Sequence, residues 1–373
     1  RCCKKMIEKG KISAFQMAII MNPTIFATAL LLVPAITARL AKQDLWLSPI
    51  WGSVSGILAV CVASKLNKLY PEQTIIQYSE HILGKIAGKI VGLTFILYFL
   101  HLNGMVIREY GEFVVGTFLN NTPMYIVMGA MLLVCSLAVY GGIESIGRSS
   151  QILVPVVSLL FVLMTLLLIK DLDPNNLLPI MEDGLKPSIM GSIVPSGWFS
   201  EFIAIAFFFP FLKDSEKAMK WGIISVISVT ALLVLTNVST YMLLGKLTIK
   251  ETYPVMVAVR YISIADFLEH LEAIVMAIWV SGTFIKISLF YYITVLGLAQ
   301  LLRLSDYRPI VLPIGFLLLV IAIWSSSNLQ NLAHFLGTSG AFYLLTFQLG
   351  IPFVLLSLAW LRKKTQQKKD EKH

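Results

Sequence analysis

Apolar residues run through this chain in long blocks, and polar residues gather in short stretches between them. Ten such blocks can be drawn, at about 12–38, 46–64, 86–118, 123–141, 150–169, 188–212, 219–244, 267–302, 309–325 and 335–361. Each is close to or beyond the roughly 18 apolar residues that mark a helix able to cross the hydrocarbon of a bilayer. The pattern predicts an all-α membrane protein with ten transmembrane helices. The third and eighth blocks are longer than one crossing needs, so they are expected to tilt or to project beyond the membrane. Ser13-Ala14-Phe15-Gln16 opens the first block with a capping-box pattern that fixes a helix start. Between the second and third blocks, Ile75, Ile76, Ile82, Leu83, Ile86 and Ile90 recur at helical spacing. They predict a short amphipathic helix over 73–90, lying along the membrane face.

Composition sharpens this picture. Apolar residues make up 57% of the 373, and charged residues only 14%, against roughly 25% in soluble domains. That balance excludes a soluble enzyme, a disordered protein and a disulfide scaffold. The net charge of +9 points to loops on the cytoplasmic side rather than to nucleic acid, because Lys and Arg concentrate there. With the N-terminus inside, 21 Lys and Arg fall on the inner side and 7 on the outer, while Arg108 and Lys286 lie within spans. Both termini, residues 1–11 and 362–373, are therefore expected in the cytoplasm. The sequence opens with Arg-Cys-Cys-Lys-Lys before Met6, and Met6 is the expected native start. Cys61 and Cys135 lie inside apolar blocks and read as packing residues. No cluster of His, Cys, Asp and Glu has metal-ligand spacing, and no phosphate-binding glycine loop is present. Neither enzyme chemistry, a metal nor a cofactor is expected.

Two blocks carry a breaker at matched depth. Asn22-Pro23-Thr24 interrupts the first and Pro195-Ser196-Gly197 the sixth, which opens the second half of the chain. Proline removes a backbone donor and clashes with the preceding turn. Backbone groups freed inside a bilayer persist only where they line a cavity or bind something. Corresponding interruptions in two halves predict inverted repeats, here 12–169 and 188–361, with a binding site between them. The candidate ligand-binding residues are Asn22, Pro23, Thr24, Ile25 and Phe26 on the first helix. On the sixth they are Ser196, Gly197, Trp198, Ser200 and Glu201. Phe26 and Trp198 are expected to shape a side-chain pocket.

Ionisable groups within a span cost about 2.5–3.5 kcal/mol each on the insertion scale, so each needs a reason. Arg108 and Glu112 stand four apart on one helical face, with Glu109 offset from them. They read either as a self-neutralising pair or as an outer gate. Lys286 has no acid on its own helix within reach, and Glu201 or Glu112 is its expected partner. His101 reads as a packed, hydrogen-bonded histidine.

The chain resembles the B-subunits of spore germinant receptors, within the amino acid–polyamine–organocation transporter superfamily. The resemblance spans Met6 to Lys364. It rests on Lys11-Ile12-Ser13 with Gln16, Pro34, Arg108-Glu109-Tyr110-Gly111-Glu112-Phe113, Asn176-Leu177-Leu178-Pro179 and Pro210-Phe211-Leu212-Lys213-Asp214. The run Gly297 to Gln300 and Asp306-Tyr307-Arg308-Pro309 complete it. The resemblance implies a LeuT-like fold of two inverted five-helix repeats with broken helices 1 and 6. It implies a subunit that senses a small nutrient, usually an amino acid, beside A- and C-type partner subunits in the inner membrane of a spore. A proton-coupled amino acid transporter acting alone is the other expectation. One departure stands out: the stretch Asn22 to Leu32 contains no glycine, so the first interruption is expected to be less open than in transporter relatives.

Overall fold

A computed structural model describes residues 7, 8, 10–260 and 272–370. The Arg1–Met6 leader, with Cys2 and Cys3, and the first residues of the eighth block, 267–271, lie outside the described residues. The described residues are mostly helical: α1 Ala14–Ala41, α2 Ser48–Leu69, α3 Ile75–Leu83, α4 Lys85–Thr117, α5 Met124–Tyr140, α6 Ile143–Leu168, α7 Lys186–Gly191 and α8 Ile193–Ser200. After α8 come α9 Ala218–Leu244, α10 Pro254–Arg260, α11 Glu272–Leu302, α12 Val311–Ser325, α13 Leu329–Gly337, α14 Ser339–Leu345 and α15 Ile351–Asp370. Eight helical stretches among the described residues are long and apolar enough to cross a membrane. One of them, Ala14–Leu69, contains both α1 and α2, and the 17-residue α5 falls just short in length. The ten predicted crossings are thus present, and the protein is an integral membrane protein.

α1 is the axis of the bundle. It packs on α9, α11 and α6, and 22 of its 28 residues are buried. A helix apolar on every side suits a membrane span, and here protein rather than lipid covers most of it. Its start is the predicted one: Gln16 N donates to Ser13 Oγ at 3.1 Å, and Ser13 N to Gln16 Oε1 at 2.8 Å. The expected interruption at Pro23 does not unwind it, for α1 continues through both Pro23 and Pro34. With no glycine nearby the turns keep helical geometry, and hydroxyls bond back onto carbonyls beside each proline. Thr24 Oγ1 donates to Ile20 O and Thr37 Oγ1 to Val33 O, each at 2.7 Å.

The sixth crossing is interrupted, but not as a loop at 195–197. Pro195 cannot donate to the carbonyl four residues back, Gly191, and the α-helical run breaks there, at Ser192. A second change follows at Glu201, where α8 tightens into a 3-10 stretch, Glu201–Phe207, with every residue buried. The amphipathic helix is shorter than expected. Gly84, at φ +88°, ends α3, so Ile86 and Ile90 belong to α4 and are 79% and 60% exposed, whereas Ile75, Ile76 and Ile82 are buried. A Cβ at Gly88 would stand 2.3 Å from the Glu80 backbone. That close approach is what lets α3 fold back onto α4. α4, at 33 residues, is about 50 Å long, well beyond the roughly 30 Å hydrocarbon core. Cys135 is buried as expected, while Cys61 is half-buried.

Both ends of the bundle are strapped. At the N-terminal end, Ile12 pairs in parallel with Leu212: Ile12 N donates to Phe211 O and Lys213 N to Ile12 O, each at 2.9 Å. Ala14 N donates to Asp214 Oδ1 at 2.7 Å. Glu8 is buried and accepts from Gly10 N, Tyr307 OH, Tyr292 OH and Ile143 N at 2.6, 3.1, 3.3 and 3.4 Å. At the far end, the acidic loop 171–187 folds over the α1–α2 turn. The buried Asp44 carboxylate accepts from Met181 N at 3.0 and 3.1 Å, and Lys42 pairs with Asp183 at 2.7 Å.

Candidate functional site

The centre of the bundle holds one charged pair. Lys286 Nζ donates to Glu201 Oε2 at 2.8 Å, to Glu201 Oε1 at 3.0 Å and to Thr28 Oγ1 at 2.8 Å. Both charged side chains are 1% exposed. An ammonium has three donors, and all three are used. Thr28 also accepts from Trp198 Nε1 at 3.1 Å. The group therefore ties α1, α8, the 3-10 stretch and α11 together at one point. Desolvating two charges costs several kcal/mol per ion, and only complete pairing with good geometry offsets it. Glu201 reaches this position because it begins the 3-10 stretch. Of the two acids expected for Lys286, the structure selects Glu201.

A neutral set of hydrogen bonds lies beside this centre, starting from Ser200, the residue before Glu201. Ser200 Oγ lies 2.7 Å from Gly197 O and also within hydrogen-bond distance of Gln348 Oε1, its single proton serving one acceptor at a time, and Gln348 Nε2 donates to Tyr98 OH at 2.6 Å. Gln348 stands in a π-helical turn, Thr346–Gly350, between α14 and α15. Such turns often mark functional sites. Here the extra residue per turn aims a buried amide at the end of α8. His101 is hydrogen-bonded as expected, Nδ1 to Tyr343 OH at 3.0 Å.

The other predicted residues fall in separate places. Arg108 pairs with Glu112 at 2.7 Å, and its guanidinium donates further to Ser327 O at 3.2 Å. The local ion pair is thus present, with a tie to the start of α13 added. Glu109 is buried, and its Oε1 has no partner among the described residues. Phe26 and Trp198 are not neighbours. Phe26 sets its ring edge-on to Phe161 of α6 at 5.1 Å, on the side of α1 away from Thr28. Asn22, Pro23 and Phe26 line an apolar recess with α6, α9 and α11, including Phe161, Trp279 and Gly282. Asn22 Nδ2 donates to Ser228 Oγ on α9 at 3.0 Å, and Ile25 is buried. Ser196 accepts at its carbonyl from Ser55 Oγ at 2.7 Å. Gly197 lies where a Cβ would meet Leu344 at 3.0 Å.

Thr28, Gln348, Tyr98 and Glu8 were not singled out from sequence. Thr28 and Gln348 are isolated polar residues within apolar blocks, and that isolation is the signal that could have found them. Glu8 sits in a polar leader, where nothing local distinguishes it from a solvated acid.

The family described as spore germination protein matches residues 11–330. Spore germination protein KB of Bacillus subtilis (strain 168) is 27% identical over 374 residues, covering 98% of this chain and 99% of the relative. Spore germination protein YndE of the same organism is 26% identical, covering 96% and 99%. Among solved structures, the chain is similar to Mhp1, a nucleobase-cation-symport-1 family transporter in a closed conformation with bromovinylhydantoin bound. The TM-score is 0.71 at 12% identity, over 95% of this chain and 79% of that one. It is also similar to a Na+-coupled sialic acid symporter in a substrate-bound, outward-open state. There the TM-score is 0.60 at 11% identity, over 93% and 81%. These likenesses give the fold, that of LeuT-like transporters built from inverted repeats.

Proposed function

The chain belongs to the spore germination protein family, and from that premise we propose that it is the nutrient-sensing membrane subunit of a germinant receptor. A small nutrient, an amino acid in the first instance, binds beside the interrupted sixth crossing, where α1 and α8 meet with α4 and α11 as walls. The two repeats, 12–169 and 188–361, move relative to one another around this point. Binding shifts the balance between two arrangements by its difference in affinity for them. The shift passes to A- and C-type partner subunits within the inner spore membrane. Both termini lie on the cytoplasmic side, in keeping with the excess of Lys and Arg there.

The observation that carries this reading is the Lys286–Glu201–Thr28 junction. It is a buried, fully paired contact between elements of both halves, and any rearrangement that separates them must break it. A switch needs an element with two discrete arrangements, and a charge pair at the meeting point of three helices supplies one. A second reading, a proton-coupled amino acid transporter acting alone, draws support from the likeness to symporters.

Liposomes holding the purified chain, offered labelled amino acids and nucleosides, separate the two readings. Binding without accumulation, with or without a proton gradient, supports the sensor. Accumulation that collapses when the gradient is dissipated supports the transporter. Glu201→Gln is expected to abolish the response to ligand. An unchanged response in that variant removes the junction from the mechanism.

A further inference from the structure

A second polar centre lies outward of the Lys286–Glu201 pair, and it is unsatisfied. Glu109 on α4 is 3% exposed, and Glu109 Oε1 has no partner among the described residues. The same is true of Trp279 Nε1 and Thr283 Oγ1 on α11, and of Tyr253 OH just before α10. Helix register and ring contacts bring these four residues to one level of the bundle. Asn103 Nδ2 donates to Ile287 O at 3.2 Å, which sets the register of the antiparallel helices α4 and α11. Six residues outward along α4 is Glu109, and six residues outward along α11 is Ser281, between Trp279 and Thr283. Phe113, one turn beyond Glu109 on the same face of α4, packs on Trp279 at 4.3 Å and on Tyr253 at 5.2 Å between ring centres. Tyr110 stacks on Trp279 at 5.8 Å.

Buried polar atoms are almost always hydrogen-bonded, and each one that is not requires an explanation. Lys286 does not serve Glu109, because its three donors are already used. The four atoms also differ in kind. Glu109 is an acceptor. Trp279 Nε1 can only donate, while the Tyr253 and Thr283 hydroxyls do either. A bare cation would satisfy the carboxylate and leave the indole unpartnered. An anion would do the reverse. A molecule that carries an ammonium with a carboxylate beside it answers both.

We propose that Glu109, Trp279, Tyr253 and Thr283 form a binding site for a zwitterionic amino acid between α4 and α11. Glu109 takes the ammonium, and the indole and phenol donate to the carboxylate. Tyr110 and Phe113 form the aromatic wall beside the ammonium. The proposal rests on the reading of the chain as a nutrient sensor, and it moves the charged end of the ligand from the α1–α8 contact to this outer centre.

The test is calorimetric titration of the full chain in lipid nanodiscs with the protein amino acids, ethylamine, propionate, glucose and inosine. At least one amino acid is expected to bind, more tightly than ethylamine or propionate. Glu109→Gln is expected to weaken that binding about tenfold or more, as loss of a charged partner does. Glu109→Asp is expected to restore part of it, and Trp279→Phe and Tyr253→Phe to weaken it by smaller factors. The melting temperature of each variant controls for folding. If an amino acid binds with an affinity that Glu201→Gln changes and Glu109→Gln does not, the sensor reading stands and this site falls. Binding of glucose or inosine alone has the same meaning. If no amino acid in the set binds, the four atoms are served by water and the site is overturned.

Discussion

Arg108 and Glu112 close their ion pair within one turn of α4, at 2.7 Å, with side chains 11% and 17% exposed. Lys286 and Glu201 close theirs at 2.8 Å between α11 and the 3-10 stretch, 85 residues apart and 1% exposed on each side. The bond lengths are nearly equal, yet the two pairs do different work. The first neutralises itself on a helix that would form without it. The second exists only once three helices have met, and each partner alone would be a bare charge in a dry interior. Geometry at the pair is therefore a poor guide to its weight, and the elements it joins are a better one.

The comparison can be broken most sharply at the inner pair. Lys286→Met or Glu201→Gln alone is expected to destabilise the protein by about 3–5 kcal/mol, since each leaves an uncompensated buried group. The double variant is expected to recover most of that loss. Unfolding in nanodiscs, followed by tryptophan fluorescence, reads both. If the double variant is as unstable as the singles, the pair is not the coupled unit described above. Glu8→Ala comes next, at about 2 kcal/mol, because four donors lose a buried acceptor. Hydrogen exchange should then rise over residues 10–14 and 211–214 while the centre stays protected. At the local pair, Arg108→Leu with Glu112→Leu is expected to cost about 1 kcal/mol or less, as apolar replacements of a paired set often do.

The smallest effect lies at the exposed far end. Asp183, hydrogen-bonded to Lys42, holds the lysine pKa above its ordinary value. A raised lysine contributes its stabilisation below the unfolded-state pKa and loses it as pH rises through the folded-state pKa. Loosening of loop 171–187 is therefore expected only in strongly alkaline solution, and Lys42→Gln should remove that pH dependence without a resolvable change in melting temperature.

Much of this architecture was legible because a bilayer allows few solutions. Ten apolar blocks became ten crossings, and Ser13 with Gln16 formed the cap that their spacing announced. Local ion pairing at Arg108 and Glu112 was legible for the same reason, since four residues along a helix is a contact. The partner of Lys286 could be narrowed to two acids by demanding that a buried charge be answered, but choosing Glu201 needed the tertiary fold. The interruptions were harder to place. Pro195 marks one, yet the tightening that presents Glu201 comes six residues later, and Pro23 leaves α1 helical because hydroxyls and close packing hold its turns. Phe26 and Trp198 are expected to share a pocket, but Trp198 of α8 bonds Thr28, and Thr28 leaves α1 nearly opposite to Phe26, since two residues along a helix turn a side chain by about 200°. Glu8 was illegible, because its partners come from residues 10, 143, 292 and 307.

The pairing of Ile12 with Leu212, and of Ala14 with Asp214, has a bearing on biogenesis. The N-terminal strap leaves the ribosome first, but its partners are 200 residues later in the chain. At roughly 5–20 residues per second, it waits on the order of 10–40 seconds while five more crossings are inserted. During that interval α1 is in the membrane with its prolines and threonines uncovered by α8, α9 or α11. The first half must therefore persist as an open, loosely held intermediate, and closing the strap becomes a late act that reports completion of the sixth crossing.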